Sequence, residues 1–260
     1  MFEIVPRVRK TAAILLPKTH IFLLSHMRAY TSLFGHIMGS NPAICGYYEM
    51  HIGYHSWKSP IRQKLLYFRQ ETAKPGFTCM FDKILHNEHN VALDVLNSRR
   101  ARNLFCLRRP QDVIPSILKL YRDIDPAHEF NSEAFATRYY VDRLAMLNNM
   151  AEHIERGFFY FDAESLKLRS GECLGNLSDW LQLKTPLTDT YSLQKYTSRE
   201  RYGDSSEALR AGRIRKDTPK YDQWPVNEAL MKDAYSAYCD TRSNLITLSD
   251  RNTVVDSTPP

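Results

Sequence analysis

The chain has 260 residues, enough for one sizeable α/β domain or two small ones. Hydrophobic residues make up 43% of it and charged residues 25%, which is typical of a folded protein and argues against a disordered one. The formal net charge of +6 fits either a solvated basic surface or a binding site for a polyanion, and composition does not separate the two.

The cysteines and the N-terminus indicate the compartment. The five cysteines are odd in number, and no two of them form a CxxC pair. This usage predicts reduced thiols rather than a disulfide framework or a zinc site, so we expect no metal. The apolar stretch Ala12–Leu16 is too short for a signal peptide or a membrane span, and we therefore expect a cytoplasmic protein.

Short apolar runs alternate with longer amphipathic ones along the chain. The runs that are typical of strands are Ile21–Ser25, Ile44–Tyr48, Phe77–Phe81, Asn103–Leu107 and Phe158–Phe161. Helical spacing of apolar residues predicts helices at Thr31–Met38, from Pro110 onward, from Ser132 to Arg156, at Leu174–Leu183 and at Asn227–Asn244. Strands that alternate with helices predict one α/β domain, with a central parallel sheet flanked by helices, over residues 1–245. We expect residues 246–260 to form a flexible C-terminal tail.

The turn between the first strand and its helix carries polar residues that suit an anion. Arg28 supplies a charge there, and the hydroxyls of Thr31 and Ser32 can donate hydrogen bonds beside the helix N-terminus. The alternative is that Thr31 only caps the helix and that Arg28 is solvated. No GxxxxGK(S/T) sequence occurs, which disfavours an ordinary ATP- or GTP-binding loop.

A second candidate lies where the fourth strand ends. Arg108 and Arg109 leave that strand directly before Pro110, which suits the first position of a helix, and Ser116 follows two helical turns later. Arg108 is therefore placed to contact a phosphate at the carboxyl end of the sheet. The two arginines could equally form a solvated pair or bind RNA.

Three segments resemble the motifs of sulfotransferases that use 3′-phosphoadenosine-5′-phosphosulfate (PAPS). Arg28-Ala29-Tyr30-Thr31-Ser32-Leu33-Phe34 resembles their 5′-phosphosulfate loop, commonly R-S-G-S/T-T-L-L. Arg108-Arg109-Pro110-Gln111-Asp112 with Ser116 resembles their 3′-phosphate motif. Tyr191 through Thr197, Gly203-Asp204-Ser205-Ser206 and Gly212-Arg213-Ile214 resemble the Y…T…GDPS…GRI loop of many bacterial members. In that family's order, the three cover most of residues 21–215.

The resemblance implies a fold like that of the P-loop nucleotide kinases, PAPS as co-substrate and 3′-phosphoadenosine-5′-phosphate (PAP) as product. The co-substrate-binding residues that it implies are Arg28, Ala29, Tyr30, Thr31, Ser32 and Leu33 for the phosphosulfate, and Arg108, Ser116 and Arg213 for the 3′-phosphate. Tyr30 stands where the family usually has Gly, and a side chain there disfavours a left-handed turn. Met27 replaces the usual Pro, so a variant subfamily is expected.

Two sets of residues compete for the role of general base. Glu49 follows the second strand, where the tyrosylprotein type of sulfotransferase carries a catalytic Glu, and His51 lies beside it. After the third strand, Lys83 and His86 resemble the Lys and catalytic His of cytosolic sulfotransferases, with an offset one residue longer. Arg28 would stabilise the charge that develops on the bridging oxygen. Both assignments remain open at the level of sequence.

The acceptor is not identified by the sequence, and we expect a small molecule, a glycan or a lipid. A small-molecule phosphotransferase is the nearest alternative enzyme, disfavoured because the GK(S/T) element is missing. A nucleic-acid-binding module would use the basic residues Arg99, Arg100, Arg102, Arg108 and Arg109 as one patch. The aromatic residues lie in core-like runs rather than between those arginines, so we expect no nucleic-acid partner.

Overall fold

A six-stranded sheet forms the centre of the structure, a computed structural model that describes residues 14–197, 207–217, 221 and 223–256. The strands are β1 (Thr19–Leu24), β2 (Ile44–Cys45), β3 (Cys79–Ile84), β4 (Ala101–Leu107), β5 (Phe158–Asp162) and β6 (Arg251–Thr253). Their order across the sheet is β2-β3-β1-β4-β5-β6, and every neighbouring pair is parallel. The predicted α/β fold with a central parallel sheet is confirmed.

Helices cover both faces of the sheet. They are α1 (Thr31–Ser40), α2 (Ser59–Gln70), α3 (Leu93–Leu96), α4 (Pro110–Ile124), α5 (Glu133–Glu152), α6 (Ser165–Leu168), α7 (Ser170–Trp180), α8 (Glu207–Arg210) and α9 (Glu228–Leu248). One core lies between the sheet and α4, α5 and α9, and a second between the sheet and α1 and α7. Because both faces are covered, β1 is buried along almost its whole length, which explains its continuous apolar run.

The second strand is shorter than its apolar run predicts. It ends at Cys45, since Gly46 has φ +112°, and a Cβ at this position would collide with the carbonyl of Phe81. The chain therefore leaves the sheet at once, and Tyr47 and Tyr48 pack beside it rather than within it.

The described part of residues 246–260 contains regular secondary structure. Helix α9 continues to Leu248, and residues Arg251–Thr253 add a parallel strand beside β5. Buried Asp162 holds this end of the chain, because it accepts two hydrogen bonds from Arg242 (2.8 and 2.7 Å) and one from the backbone N–H of Val255 (2.9 Å). A three-residue edge strand with mostly polar side chains has too short a pattern to be predicted from sequence.

Candidate active site

The predicted co-substrate residues meet at the carboxyl end of β1. In the sheet, β2 and β3 lie on one side of β1, and β4 lies on the other side. The order of the strands therefore reverses direction at β1. A cleft of about 330 Å³ opens here. Eight of the nine predicted residues line it, namely Arg28, Tyr30, Thr31, Ser32, Leu33, Arg108, Ser116 and Arg213. The ninth, Ala29, is fully buried in the core beneath.

The loop between β1 and α1 makes a left-handed turn in spite of its side chains. Arg28 has φ +63° and Tyr30 has φ +53°, so the loop adopts the left-handed turn although the side chain of Tyr30 disfavours it. A non-glycine residue in this region costs about 1–3 kcal/mol and persists only where its surroundings hold it. Of the described non-glycine residues, four have positive φ, and three of them (Arg28, Tyr30 and His51) were predicted as site residues.

Arg108 holds Tyr30 in that conformation. Its guanidinium lies 4.1 Å from the centre of the Tyr30 ring, while its Nη2 donates to the Tyr30 hydroxyl (2.8 Å) and its Nη1 donates to the carbonyl of Arg28 (2.9 Å). Arg108 is only 2% exposed, and within the described residues its buried Nε has no hydrogen-bond acceptor. Burial raises the pKa of Tyr30 to about 12, so its hydroxyl stays protonated.

The two segments predicted to bind the phosphates are also joined directly. Arg28 Nε donates to Ser116 Oγ (2.8 Å), although the two residues are 88 positions apart in the chain. The Tyr221 hydroxyl donates to the same oxygen (3.0 Å). Hydrogen bonds therefore connect the side chains predicted for the 5′-phosphosulfate with those predicted for the 3′-phosphate.

Sequence reasoning missed three further cations of the cleft, which are Lys119, Lys167 and Arg215. Lys167 is 8% exposed, its Nζ donates to the carbonyl of Asp217 (2.7 Å), and it lies 4.4 Å from the centre of the Tyr30 ring. It follows the end of β5 by five residues, and the rule that ligands bind at carboxyl ends of parallel strands could have indicated it. Of the described residues that line the cleft, six are Arg or Lys and one, Asp123, is acidic.

The third motif positions Arg213. The backbone N–H of Tyr191 donates to the carbonyl of Gly212 (2.8 Å), and that of Ile214 donates to the carbonyl of Asp189 (2.8 Å). This short antiparallel pairing carries Arg213 to the cleft. The middle of the motif, residues 203–206, lies outside the described residues.

The candidate bases lie on the other side of the β1 loop, at the carboxyl ends of β2 and β3. Glu49 is 9% exposed, and burial raises its pKa to about 7 against the opposing charge of Lys83. Its Oε1 lies 3.8 Å from His51 Nδ1 and has no hydrogen-bond partner within the described chain. Glu49 and Lys83, which the sequence assigned to rival sets, thus belong to one cluster.

His86 has a different electrostatic environment. Burial lowers the pKa of its imidazole to about 4, and its ring centre lies 5.5 Å from that of Tyr139. At neutral pH both His86 and a fraction of Glu49 can accept a proton. The group whose pKa lies near neutrality is the stronger base of the two.

This fold is similar to two solved sulfotransferase domains. The domain from the curacin biosynthetic pathway superposes with a TM-score of 0.52 at 13% sequence identity, over 86% of this chain and 98% of that one. The domain from the Synechococcus PCC 7002 olefin synthase gives a TM-score of 0.54 at 15% identity, over 89% of this chain and 94% of that one. At such identities the likeness establishes the fold. No protein-family model and no curated protein matches the sequence.

Helix α5 connects the two sides of the site through residues that the sequence did not reveal. The Tyr139 hydroxyl accepts from the backbone N–H of Met27 (2.8 Å) and donates to the carbonyl of Leu85 (2.9 Å). One turn later, fully buried Arg143 donates to the carbonyls of Ser25 (2.8 Å) and Ile84 (2.6 Å). The phosphosulfate-like loop and the end of β3 are therefore fixed relative to each other. Inside a long helix, these two residues carry no sequence signal for this role.

The described residues contain no helix that is both long enough and apolar enough to cross a bilayer. They also contain no group of three or more His, Cys, Asp or Glu side chains placed to hold a metal ion.

Proposed function

We propose that this protein is a sulfotransferase that moves a sulfuryl group from PAPS to a hydroxyl or amine of an acceptor and releases PAP. The observation that carries the proposal is the convergence of two motifs, 80 residues apart at Arg28 and Arg108, on one cationic cleft. That cleft lies at the carboxyl end of β1 in a fold shared with sulfotransferase domains.

The residues of the cleft fit the charge of PAPS, which has a 5′-phosphosulfate and a separate 3′-phosphate. Arg28, Thr31 and Ser32 would hold the first group, and Arg108, Ser116 and Arg213 the second. Six cations against one carboxylate favour a ligand with several negative charges. The buried Arg108 Nε adds a donor that has no acceptor among the described residues. When bound, PAPS supplies the activated sulfuryl group.

Glu49 is our choice for the residue that takes the proton of the acceptor. The pKa of about 7 places its carboxylate near the optimum for a general base at neutral pH, and its Oε1 accepts no hydrogen bond within the described chain. Lys83 favours the ionised form. Arg28, in the phosphosulfate-like loop, would stabilise the charge that develops on the leaving oxygen. His86 is the second candidate, with a less favourable pKa.

The structure weakens the nucleic-acid alternative. Arg99 and Arg100 precede β4, whereas Arg108 and Arg109 follow it. A seven-residue strand separates the two pairs by about 25 Å. Arg108 is also buried, so these arginines do not form a single exposed patch.

A thermal-shift titration with PAP, 5′-AMP and ADP tests the proposal without knowledge of the acceptor. PAP should raise the melting temperature most, because only PAP carries a 3′-phosphate for Arg108 and Ser116. A hundredfold excess over Kd contributes about 2.7 kcal/mol to the free energy of unfolding. Equal shifts with PAP and 5′-AMP would remove the reason to assign a 3′-phosphate site.

A further inference from the structure

Helix α2 carries an exposed face that the catalytic proposal does not use. Three large apolar side chains lie on it, with exposed fractions of 71% for Trp57, 39% for Ile61 and 42% for Leu65. Their positions, i, i+4 and i+8, form one stripe along the helix and the turn that precedes it. On the opposite face of α2, Ser59, Gln63 and Tyr67 are buried against the protein, which fixes the outward orientation of the stripe.

Two more exposed leucines lie beside this helix. Lys64 Nζ, on α2, donates to the carbonyl of Leu16 (2.9 Å), and Leu15 and Leu16 are 72% and 54% exposed. The two segments together hold five of the ten large apolar side chains that are exposed within the described chain. Such clustering marks an interaction surface, whereas single exposed apolar residues need no explanation.

A row of cations runs next to the apolar stripe. Lys58, Arg62 and Arg69 are all exposed and stand at i+1, i+5 and i+12 relative to Trp57, so they share the adjacent strip of the helix surface. Residues 57–70 contain no Asp or Glu. The Lys58 ammonium lies 5.4 Å from the centre of the Trp57 ring, at the border between the two strips. We call the six residues 57, 58, 61, 62, 65 and 69 the basic-apolar face.

We propose that the basic-apolar face docks the protein on an anionic lipid bilayer. Trp and aliphatic side chains enter the boundary between headgroups and acyl chains, while neighbouring Lys and Arg side chains contact the negative headgroups. Helix α2 would lie parallel to the bilayer plane, because its other side is buried in the protein. An acidic protein would match the cations, but the tryptophan and aliphatic stripe beside them favours lipid. This inference is independent of the proposed sulfotransferase activity.

Vesicle co-sedimentation of the full chain tests it. Wild type should bind vesicles of phosphatidylcholine mixed with phosphatidylglycerol and bind pure phosphatidylcholine much more weakly. Each cation removed should lower the partition coefficient about fivefold, so that Arg62→Gln combined with Arg69→Gln costs about 25-fold. Leu65→Ser should also weaken binding. The fluorescence of Trp57 should shift to shorter wavelength on binding, and Trp57→Phe should abolish most of this shift.

Matched controls separate this face from the general positive charge of the chain. Leu248, at the end of α9, is 40% exposed and matches Leu65, which is 42% exposed. Arg251, at the start of β6, is exposed and matches Arg62. Neither Leu248 nor Arg251 belongs to the basic-apolar face. Leu248→Ser and Arg251→Gln should leave vesicle binding unchanged. The proposal is overturned if wild type does not bind the anionic vesicles, if the control variants lose as much binding as the test variants, or if Leu65→Ser binds like wild type. Self-association through this face, detected as a dimer that Leu65→Ser dissociates in the absence of lipid, would overturn it too.

Discussion

The guanidinium of Arg108 lies over the ring of Tyr30, 4.1 Å from its centre, and donates a 2.8 Å hydrogen bond to its hydroxyl. The same ring is 4.4 Å from the ammonium of Lys167. A tyrosine thus covers one cation of the proposed 3′-phosphate site and contacts a second. The sulfotransferase motif that this loop resembles usually has glycine at this position, and glycine has no side chain that could make these two contacts.

Replacement of Tyr30 should therefore increase the affinity for PAP. Tyr30→Gly removes both the ring that covers Arg108 and the hydroxyl that occupies its Nη2, and glycine adopts the left-handed turn without strain. A hydrogen bond to a charged group is worth about 1.5–3 kcal/mol, so we expect PAP to bind roughly tenfold tighter. Isothermal titration calorimetry measures the change.

Tyr30→Phe is the matched control for that experiment. It keeps the ring and loses only the hydroxyl, so its PAP affinity should lie between those of wild type and Tyr30→Gly. Weaker PAP binding by both variants would show that Tyr30 is a ligand for the nucleotide rather than a cover over Arg108.

Arg108 and its neighbour Arg109 should differ sharply in their effect on nucleotide preference. Arg108→Ala should lose most of the preference for PAP over 5′-AMP, a loss of about 1.5–3 kcal/mol. Arg109→Ala should keep it, because the Arg109 side chain interacts with Asp112 and Glu164 and does not line the cleft. Binding is measured on protein shown to be folded by circular dichroism. An unchanged preference in Arg108→Ala would exclude this residue as a 3′-phosphate ligand.

The dependence of turnover on pH should identify the base. If Glu49 accepts the proton, wild-type kcat should rise with pH and level off above about 7, where the Glu49 carboxylate is ionised. Glu49→Gln should bind PAP normally, and its kcat should be about 10²- to 10⁴-fold lower than that of wild type. The kcat of this variant should also no longer rise with pH. The measurement is PAP release with an accepted sulfuryl acceptor across the pH range.

The variant His86→Asn tests whether His86, rather than Glu49, is the general base. Its imidazole has a pKa of about 4, so a rate that depends on His86 would rise near that pH and be level at neutrality. Near-normal turnover in Glu49→Gln with a large loss in His86→Asn would transfer the role to His86.

Buried carboxyl groups should make the protein less stable as pH rises. Burial raises the pKa of both Glu49 and Asp82 to about 7, from ordinary values of 4.5 and 3.8. The folded state retains protons that the unfolded state releases, so the stabilisation is complete below about pH 4 and is lost as pH rises through about 7. The lowered pKa values of His20, His26 and His86 act in the opposite direction below pH 6.5.

A comparison with Glu49→Gln isolates the carboxyl effect, because the histidines are common to both proteins. Relative to this variant, the free energy of unfolding of wild type should fall by up to about 3 kcal/mol between pH 4 and 8. Urea denaturation at each pH provides the values. Parallel curves for the two proteins would contradict the raised pKa of Glu49.

Local sequence patterns predicted five of the six described strands, the longer helices other than α2, and the polar residues that meet at the carboxyl ends of β1 and β4. Continuous apolar runs such as Ile21–Leu24 are typical of strands that are covered on both faces, and alternation with helical periodicity implies parallel pairing. Parallel strands bring their carboxyl ends to one edge, so polar residues that follow two such strands, here Arg28 and Arg108, could be expected to meet.

Only the tertiary structure decided what surrounds those residues. The left-handed conformation of Tyr30 opposes its local preference and is held by Arg108, which lies 78 positions away. The pKa of Glu49 arises from burial beneath neighbouring segments, and Tyr139 and Arg143 acquire their bridging role because α5 crosses the ends of β1 and β3. Strain, burial and hydrogen bonds between distant segments depend on the packed arrangement, and no short stretch of sequence encodes them.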